Sequence, residues 1–154
     1  MASVEVNGRI FDEYVSAQEI QQCVEQVAER INRDYAGKEL LLICVLNGAF
    51  MYASDLFKRI TLPAEITFVR LKSYEGTATT GDVKMLNPLA VNVEGKDVVV
   101  VEDIVDTGLT MHGFLKHLQA QGANSVEIIE QVQAKLDELG CGKIATVMGR
   151  YYAM

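Results

Sequence analysis

One short stretch of the chain concentrates side chains that could do chemistry: Val98-Val99-Val100-Val101-Glu102-Asp103-Ile104-Val105-Asp106-Thr107-Gly108-Leu109-Thr110. Four consecutive valines without polar alternation are the pattern of a strand covered on both faces. That strand runs into an acid pair, then an Asp-Thr-Gly turn, then a segment whose Met111, Phe114, Leu115 and Leu118 repeat at helical spacing. In open parallel sheets, ligands bind outside the carboxyl ends of the strands, where these residues fall. Gly108 lets the backbone come close to a ligand. Thr107, Thr110 and the first unpaired N–H groups of the following helix offer donors suited to a phosphate. Glu102 and Asp103 suit sugar hydroxyls, held directly or through Mg²⁺, whose hard oxygen preference matches carboxylates. Singly, each acid reads equally well as a solvated strand end, and Asp106 as a turn residue. Strand, acid pair, Asp-Thr-Gly-x-Thr and helix together carry the assignment. Neither GxxxxGK[ST] nor GxGxxG occurs, so this is not a Walker loop and not a dinucleotide fingerprint.

The elements that would position this stretch can be read along the chain. Val4, Val6, Arg9 and Phe11 around Asn7-Gly8 predict a short hairpin. Ser16 with Glu19 forms a capping box, and Ile20, Cys23, Val24, Val27 and Ile31 follow at helical spacing until Gly37. Residues 40–46 are an unbroken apolar run, the mark of a buried strand. A Leu46-Asn47-Gly48-Ala49 turn then leads into a helix from Phe50 to about Arg59. Residues 64–71 predict one strand. Residues 73–81 are polar, with two glycines and three threonines, and read as a mobile loop. Residues 97–101 give the clearest buried strand and 126–129 another. The βαβ alternation predicts a parallel sheet with helices on its faces.

Composition narrows the function. The 154 residues fit one domain, and 49% hydrophobic with 23% charged content is that of an ordinary globular protein. A net charge of −7 excludes the general electrostatic footprint of a nucleic-acid binder. An anionic ligand would need local help. No basic region followed by an apolar stretch opens the sequence, and no apolar run is long enough to span a bilayer, so neither a signal peptide nor a membrane partner is expected. Cys23, Cys44 and Cys141 form no CxxC; the first two read as core residues of a reduced, cytoplasmic protein. His112 and His117 share no helix face and read as surface residues.

The stretch from Glu102 to Thr110 resembles the phosphoribosyl-pyrophosphate (PRPP) signature of type I phosphoribosyltransferases. Residues 10–129 resemble the hypoxanthine/guanine phosphoribosyltransferases, bacterial ones above all. Val45-Leu46-Asn47-Gly48-Ala49-Phe50 and Lys72-Ser73-Tyr74-Glu75-Gly76 support this, in the family's order and approximate spacing. The resemblance implies an α/β fold with a parallel-sheet, Rossmann-like type I core. It implies purine salvage: transfer of a 5-phosphoribosyl group from PRPP to hypoxanthine or guanine, giving IMP or GMP and pyrophosphate. It places Glu102 and Asp103 at the ribose hydroxyls and Mg²⁺. Asp106 falls near the purine N7, as general base or hydrogen-bond partner. Asp106, Thr107, Gly108, Leu109 and Thr110 lie around the 5′-phosphate. Leu46, Asn47 and Gly48 would form the pyrophosphate loop, where the family often has a non-proline cis peptide, and Ser73 and Tyr74 would head the closing lid. The expected partners are PRPP, a purine base, a nucleoside monophosphate and pyrophosphate, with the chain itself as a homo-oligomer.

After Ile129 the family pattern stops, so the C-terminal part of the fold is expected to be missing or replaced. Residues 1–129 would form the core, and 130–154 an atypical helix–strand tail rather than a separate domain. A family-type base-reading lysine, a stacking aromatic, an acid at the far edge of the purine and an Arg-Asp pair have no recognisable counterparts there. Leu139-Gly140-Cys141-Gly142-Lys143-Ile144-Ala145-Thr146-Val147 with Gly149-Arg150-Tyr151-Tyr152-Ala153-Met154 is instead similar to an internal stretch of cofactor-independent phosphoglycerate mutase, and carries no site. Impaired turnover is therefore expected. Two further readings stay open: a PRPP or nucleotide-phosphate binding module without turnover, and a phosphoribosyltransferase for another base.

Overall fold

The computed structural model describes residues 3–13, 16–73, 83–102 and 109–128. In chain order they form β1 (Ser3–Val6), β2 (Arg9–Asp12), α1 (Ala17–Asp34), β3 (Leu40–Val45), α2 (Phe50–Phe57), β4 (Ala64–Val69), β5 (Leu71–Ser73), β6 (Val83–Met85), β7 (Asp97–Val101), α3 (Leu109–Ala120) and β8 (Ser125–Ile128). The main sheet has the order β4-β3-β7-β8, and every pair in it is parallel. The two apolar runs become its central strands, with every residue of β3 and β7 buried.

Alternate residues of those strands feed opposite layers, as the two-residue period requires. Leu40, Leu42, Cys44, Val99 and Val101 pack with Val24, Val27 and Ile31 of α1 and Ala53 and Leu56 of α2. Leu41, Ile43, Val45, Val98 and Val100 pack with Met111, Phe114 and Leu118 of α3. Each Val, Leu, Ile, Met or Phe among them, fully buried, contributes roughly 1.5–3 kcal/mol relative to exposure. Cys23 and Cys44 are buried in the core, as expected.

Local signals resolve as written in the sequence. The hairpin closes through Asn7 and Gly8 at φ 51° and 73°, the paired positive values of a type I′ turn. The capping box is complete: Glu19 N–H donates to Ser16 Oγ at 3.1 Å and Ser16 N–H to Glu19 Oε2 at 2.8 Å. That pairing holds the Glu19 carboxyl below its ordinary pKa, chiefly through the Ser16 backbone N–H.

Several boundaries differ from expectation. The second helix stops at Phe57, short of Arg59. Residues 64–71 are two strands rather than one, because the chain turns from one partner to another at Arg70. Its N–H donates to Asn87 Oδ1 (2.8 Å) and its C=O accepts from Leu86 N–H (2.9 Å), so β5 leaves the main sheet and pairs antiparallel with β6. Ser73 is the last residue of β5, in register with Val83, and so belongs to a strand rather than to the loop. His117 is half-buried, whereas His112 is exposed as expected. The expected helix and strand within 130–154, and Cys141, lie outside the described residues.

Candidate functional site

Strand order decides where a site can form. The chain leaves β3 through α2 to β4 on one side, and leaves β7 through α3 to β8 on the other, with α2 and α3 on opposite faces. Connections therefore diverge between β3 and β7. A crevice opens there outside the carboxyl ends of the strands, the position at which doubly wound sheets bind ligands.

Both candidate loops start at that crevice. β3 and β7 pair in register up to Cys44 with Val101. Leu46, Asn47 and Gly48 follow the end of β3, and Glu102 follows the end of β7, so segments more than fifty positions apart in sequence issue from adjacent strands. Leu46 N–H donates to Val69 C=O (2.8 Å) and the Asn47 C=O accepts from Phe50 N–H (3.3 Å), which ties the turn to β4 and to the start of α2. The Leu46–Asn47 peptide bond is cis, as the resemblance implied for this loop.

Glu102 is half-buried at the end of β7. Leu109 and Thr110 are the first two residues of α3, at the end of the helix where unpaired N–H groups favour an anion. Asp103, Asp106, Thr107 and Gly108 lie outside the described residues, as does Tyr74. The β5–β6 pair, which carries Ser73, packs against α3, so the stem of the expected lid rests on the helix that follows the candidate phosphate-binding stretch.

Two side chains that periodicity does not single out belong to this site. Arg70 Nη2 donates to Asn47 Oδ1 at 2.9 Å. Asn87 accepts from Arg70 N–H and donates through Nδ2 to Phe68 C=O at 3.2 Å, mimicking a strand partner at the sheet edge. In sequence, Arg70 is one exposed position of an alternating run; only the break in that run could have marked it.

Among the described residues no cluster of three or more His, Cys, Asp or Glu could by itself hold a metal ion. The donor chemistry of the Glu102-Asp103 pair nevertheless fits a hard, oxygen-seeking cation that keeps several waters and substrate oxygens as ligands. A cavity of 460 Å³, lined by Met85, Leu89, Val93, His117 and Gln121 among others, lies by the far half of α3 and includes none of the candidate residues.

Residues 11–136 match the phosphoribosyl transferase domain. The chain belongs to that family. Its match starts at Phe11 and runs past Ile129. The hypoxanthine-guanine phosphoribosyltransferase of Staphylococcus aureus is 36% identical over 116 residues, covering 75% of this chain and 65% of the relative. The hypoxanthine-guanine-xanthine phosphoribosyltransferase of Tritrichomonas foetus is 37% identical over 110 residues, covering 71% and 60%. The chain thus spans under two thirds of the length of these curated relatives. A crystal structure of a hypoxanthine-guanine phosphoribosyltransferase from Bacillus anthracis, with HEPES in its active site, superposes with a TM-score of 0.71 at 39% identity, covering 78% of this chain and 72% of that one. A parallel sheet of order β4-β3-β7-β8 between helices is the type I phosphoribosyltransferase core that the family predicts.

Proposed function

We propose that the chain transfers a 5-phosphoribosyl group from PRPP to hypoxanthine or guanine, giving IMP or GMP and pyrophosphate, in the cytoplasm. The observation that supports this reading is that β3 and β7 are paired neighbours, so Leu46-Asn47-Gly48 and Glu102, each following the end of one of them, start side by side. The names of the relatives supply the base.

The roles follow from the chemistry. The bond from ribose C1 to the pyrophosphate oxygen breaks with its electron pair leaving on pyrophosphate, while one nitrogen of the purine's five-membered ring forms the new bond to C1 and the other, N7, gives up its proton. Positive charge develops on the sugar as the leaving group departs, and carboxylates fixed nearby favour it. Glu102 and Asp103 hold the ribose hydroxyls and are the residues that would hold Mg²⁺. When bound, Mg²⁺ neutralises charge on the leaving group. Asp106 lies at the purine N7, accepting a proton or a hydrogen bond. Thr107, Gly108, Leu109 and Thr110 enclose the 5′-phosphate with backbone N–H groups and hydroxyls. Leu46, Asn47 and Gly48 face the pyrophosphate. Ser73 and Tyr74 head a lid that excludes water, which would otherwise hydrolyse PRPP. A homo-oligomer is part of the same reading.

An absorbance assay with Mg²⁺–PRPP and hypoxanthine or guanine tests it. Formation of IMP or GMP with stoichiometric pyrophosphate is the expected result. PRPP binding with no product for either base would leave a binding module, and product from another base alone would reassign the substrate.

A further inference from the structure

The pyrophosphate loop of this chain has a charge problem. PRPP carries most of its negative charge on the pyrophosphate, yet Leu46, Asn47, Gly48 and Ala49 bring no cation, and the whole chain is at −7. Beyond backbone N–H groups and a bound cation, a neutral loop in an acidic protein holds a polyanion better where positive charge is delivered from another element.

Arg70 is placed to deliver it. Its backbone is fixed on both sides, N–H to Asn87 Oδ1 and C=O from Leu86 N–H, so the residue cannot drift along the sheet edge. Its side chain reaches the loop itself, with Nη2 2.9 Å from Asn47 Oδ1. That bond uses one of five guanidinium N–H donors, in a fork whose planar geometry suits phosphate oxygens. Arg70 is exposed, and among the described residues no carboxylate forms an ion pair with it, unlike Arg30, Arg33, Lys58, Arg59 and Lys96. Burial alternates along this stretch, leaving Arg70 and Lys72 exposed on either side of half-buried Leu71. Lys84 is the register partner of Lys72 across β5–β6.

We infer that Arg70, aimed by Asn47, binds the pyrophosphate group, supplying from β4's end the positive charge that the loop lacks, with Lys72 adding to the local field. This rests on the phosphoribosyl-transfer reading for its physiological ligand, although the anion site can be tested without it. Asn47 acts as the positioning residue, holding the fork towards the loop.

Calorimetric titrations of the full chain with inorganic pyrophosphate, Mg²⁺–PRPP and GMP separate the possibilities, using the parent, Arg70→Gln, Arg70→Lys and Asn47→Ala. Arg70→Gln should weaken pyrophosphate and PRPP by about tenfold or more while leaving GMP, which has no pyrophosphate, within about twofold. Arg70→Lys should recover part of the loss, because charge is restored without the fork. Asn47→Ala should lose severalfold on the same two ligands only. Equal pyrophosphate affinity in parent and Arg70→Gln overturns the inference. So does a loss of all three ligands alike, which would make Arg70 a brace for the loop. If Arg70→Gln does not fold, Asn47→Ala decides: an unchanged pyrophosphate affinity rejects the proposal. Arg70-dependent pyrophosphate binding by a parent that ignores PRPP would sustain the anion site and remove the phosphoribosyl reading. A parent that binds neither ligand overturns both.

Discussion

Glu102 leaves the sheet at a point where Val101, one residue earlier, is fully buried and still pairs with Cys44. An acid there is carried by a strand buried along its whole length, which would suit the proposed hold on a ribose or a hydrated cation. Replacing Glu102 and Asp103 together by Gln and Asn keeps size and hydrogen bonding but removes two negative charges, and neutral amides hold Mg²⁺ poorly. PRPP affinity in the double variant should fall by about tenfold and lose most of its dependence on Mg²⁺ concentration. Titration at several Mg²⁺ levels reads both effects, and parental behaviour would reduce the pair to strand-end decoration. At this scale the sequence was legible where a motif packed several chemical types into one segment. Arg70 and Asn87 were not legible, because their partners, Asn47 and Phe68, come from other positions and no local period reports a side chain bonded across a sheet edge.

The strand that leads to Glu102 is tied to its neighbour β8 at the opposite end. Asp97, buried at the start of β7, accepts from Ser125 Oγ at 2.7 Å and Asn124 Nδ2 at 2.8 Å, joining β7 to β8. Burial pushes its carboxyl up, but the bonds from Ser125 and Asn124 and the charge of Lys38 outweigh that and hold its pKa below the ordinary 3.8. Next to it, Tyr35 at the end of α1 donates its hydroxyl to Glu127 Oε2 of β8 at 2.8 Å, and burial, then that bond, raise its pKa. A carboxyl whose folded pKa is depressed contributes stability that is present above its unfolded value and lost as pH falls through the folded one. Asp97→Asn should therefore cost about 1 kcal/mol at neutral pH, since charge assistance is lost while an acceptor remains. The gap to the parent should narrow as pH falls below 3.8. Unfolding midpoints measured from neutral to acid pH check this; a gap independent of pH would show that the charge of Asp97 is not what ties the strands. Element existence was legible from the unbroken apolar runs and the capping box. Strand neighbours were not, since a run of valines reports that a strand is covered but not which strand lies beside it.

For the whole molecule, the order β4-β3-β7-β8 sets the ends of β3 and β7 side by side, and the proposed ribose and phosphate contacts follow those ends, while base recognition would depend on other residues. We propose that residues 130–154 do not supply the base-reading lysine, aromatic and acid that the resemblance calls for. Stacking and base-edge hydrogen bonds are each worth on the order of 1 kcal/mol or more, so losing several should weaken purine binding far more than PRPP binding. On the proposed function, PRPP is held where β3 and β7 diverge, by the stretch from Glu102 to Thr110. Calorimetric titration of Mg²⁺–PRPP, followed by hypoxanthine, into the parent chain and into Gly108→Val tests it most directly. A side chain at position 108 blocks the approach of backbone to phosphate. Saturable PRPP binding by the parent, much weaker hypoxanthine binding, and loss of the PRPP signal in a folded Gly108→Val chain are the results expected. PRPP binding that survives Gly108→Val unchanged would contradict the account.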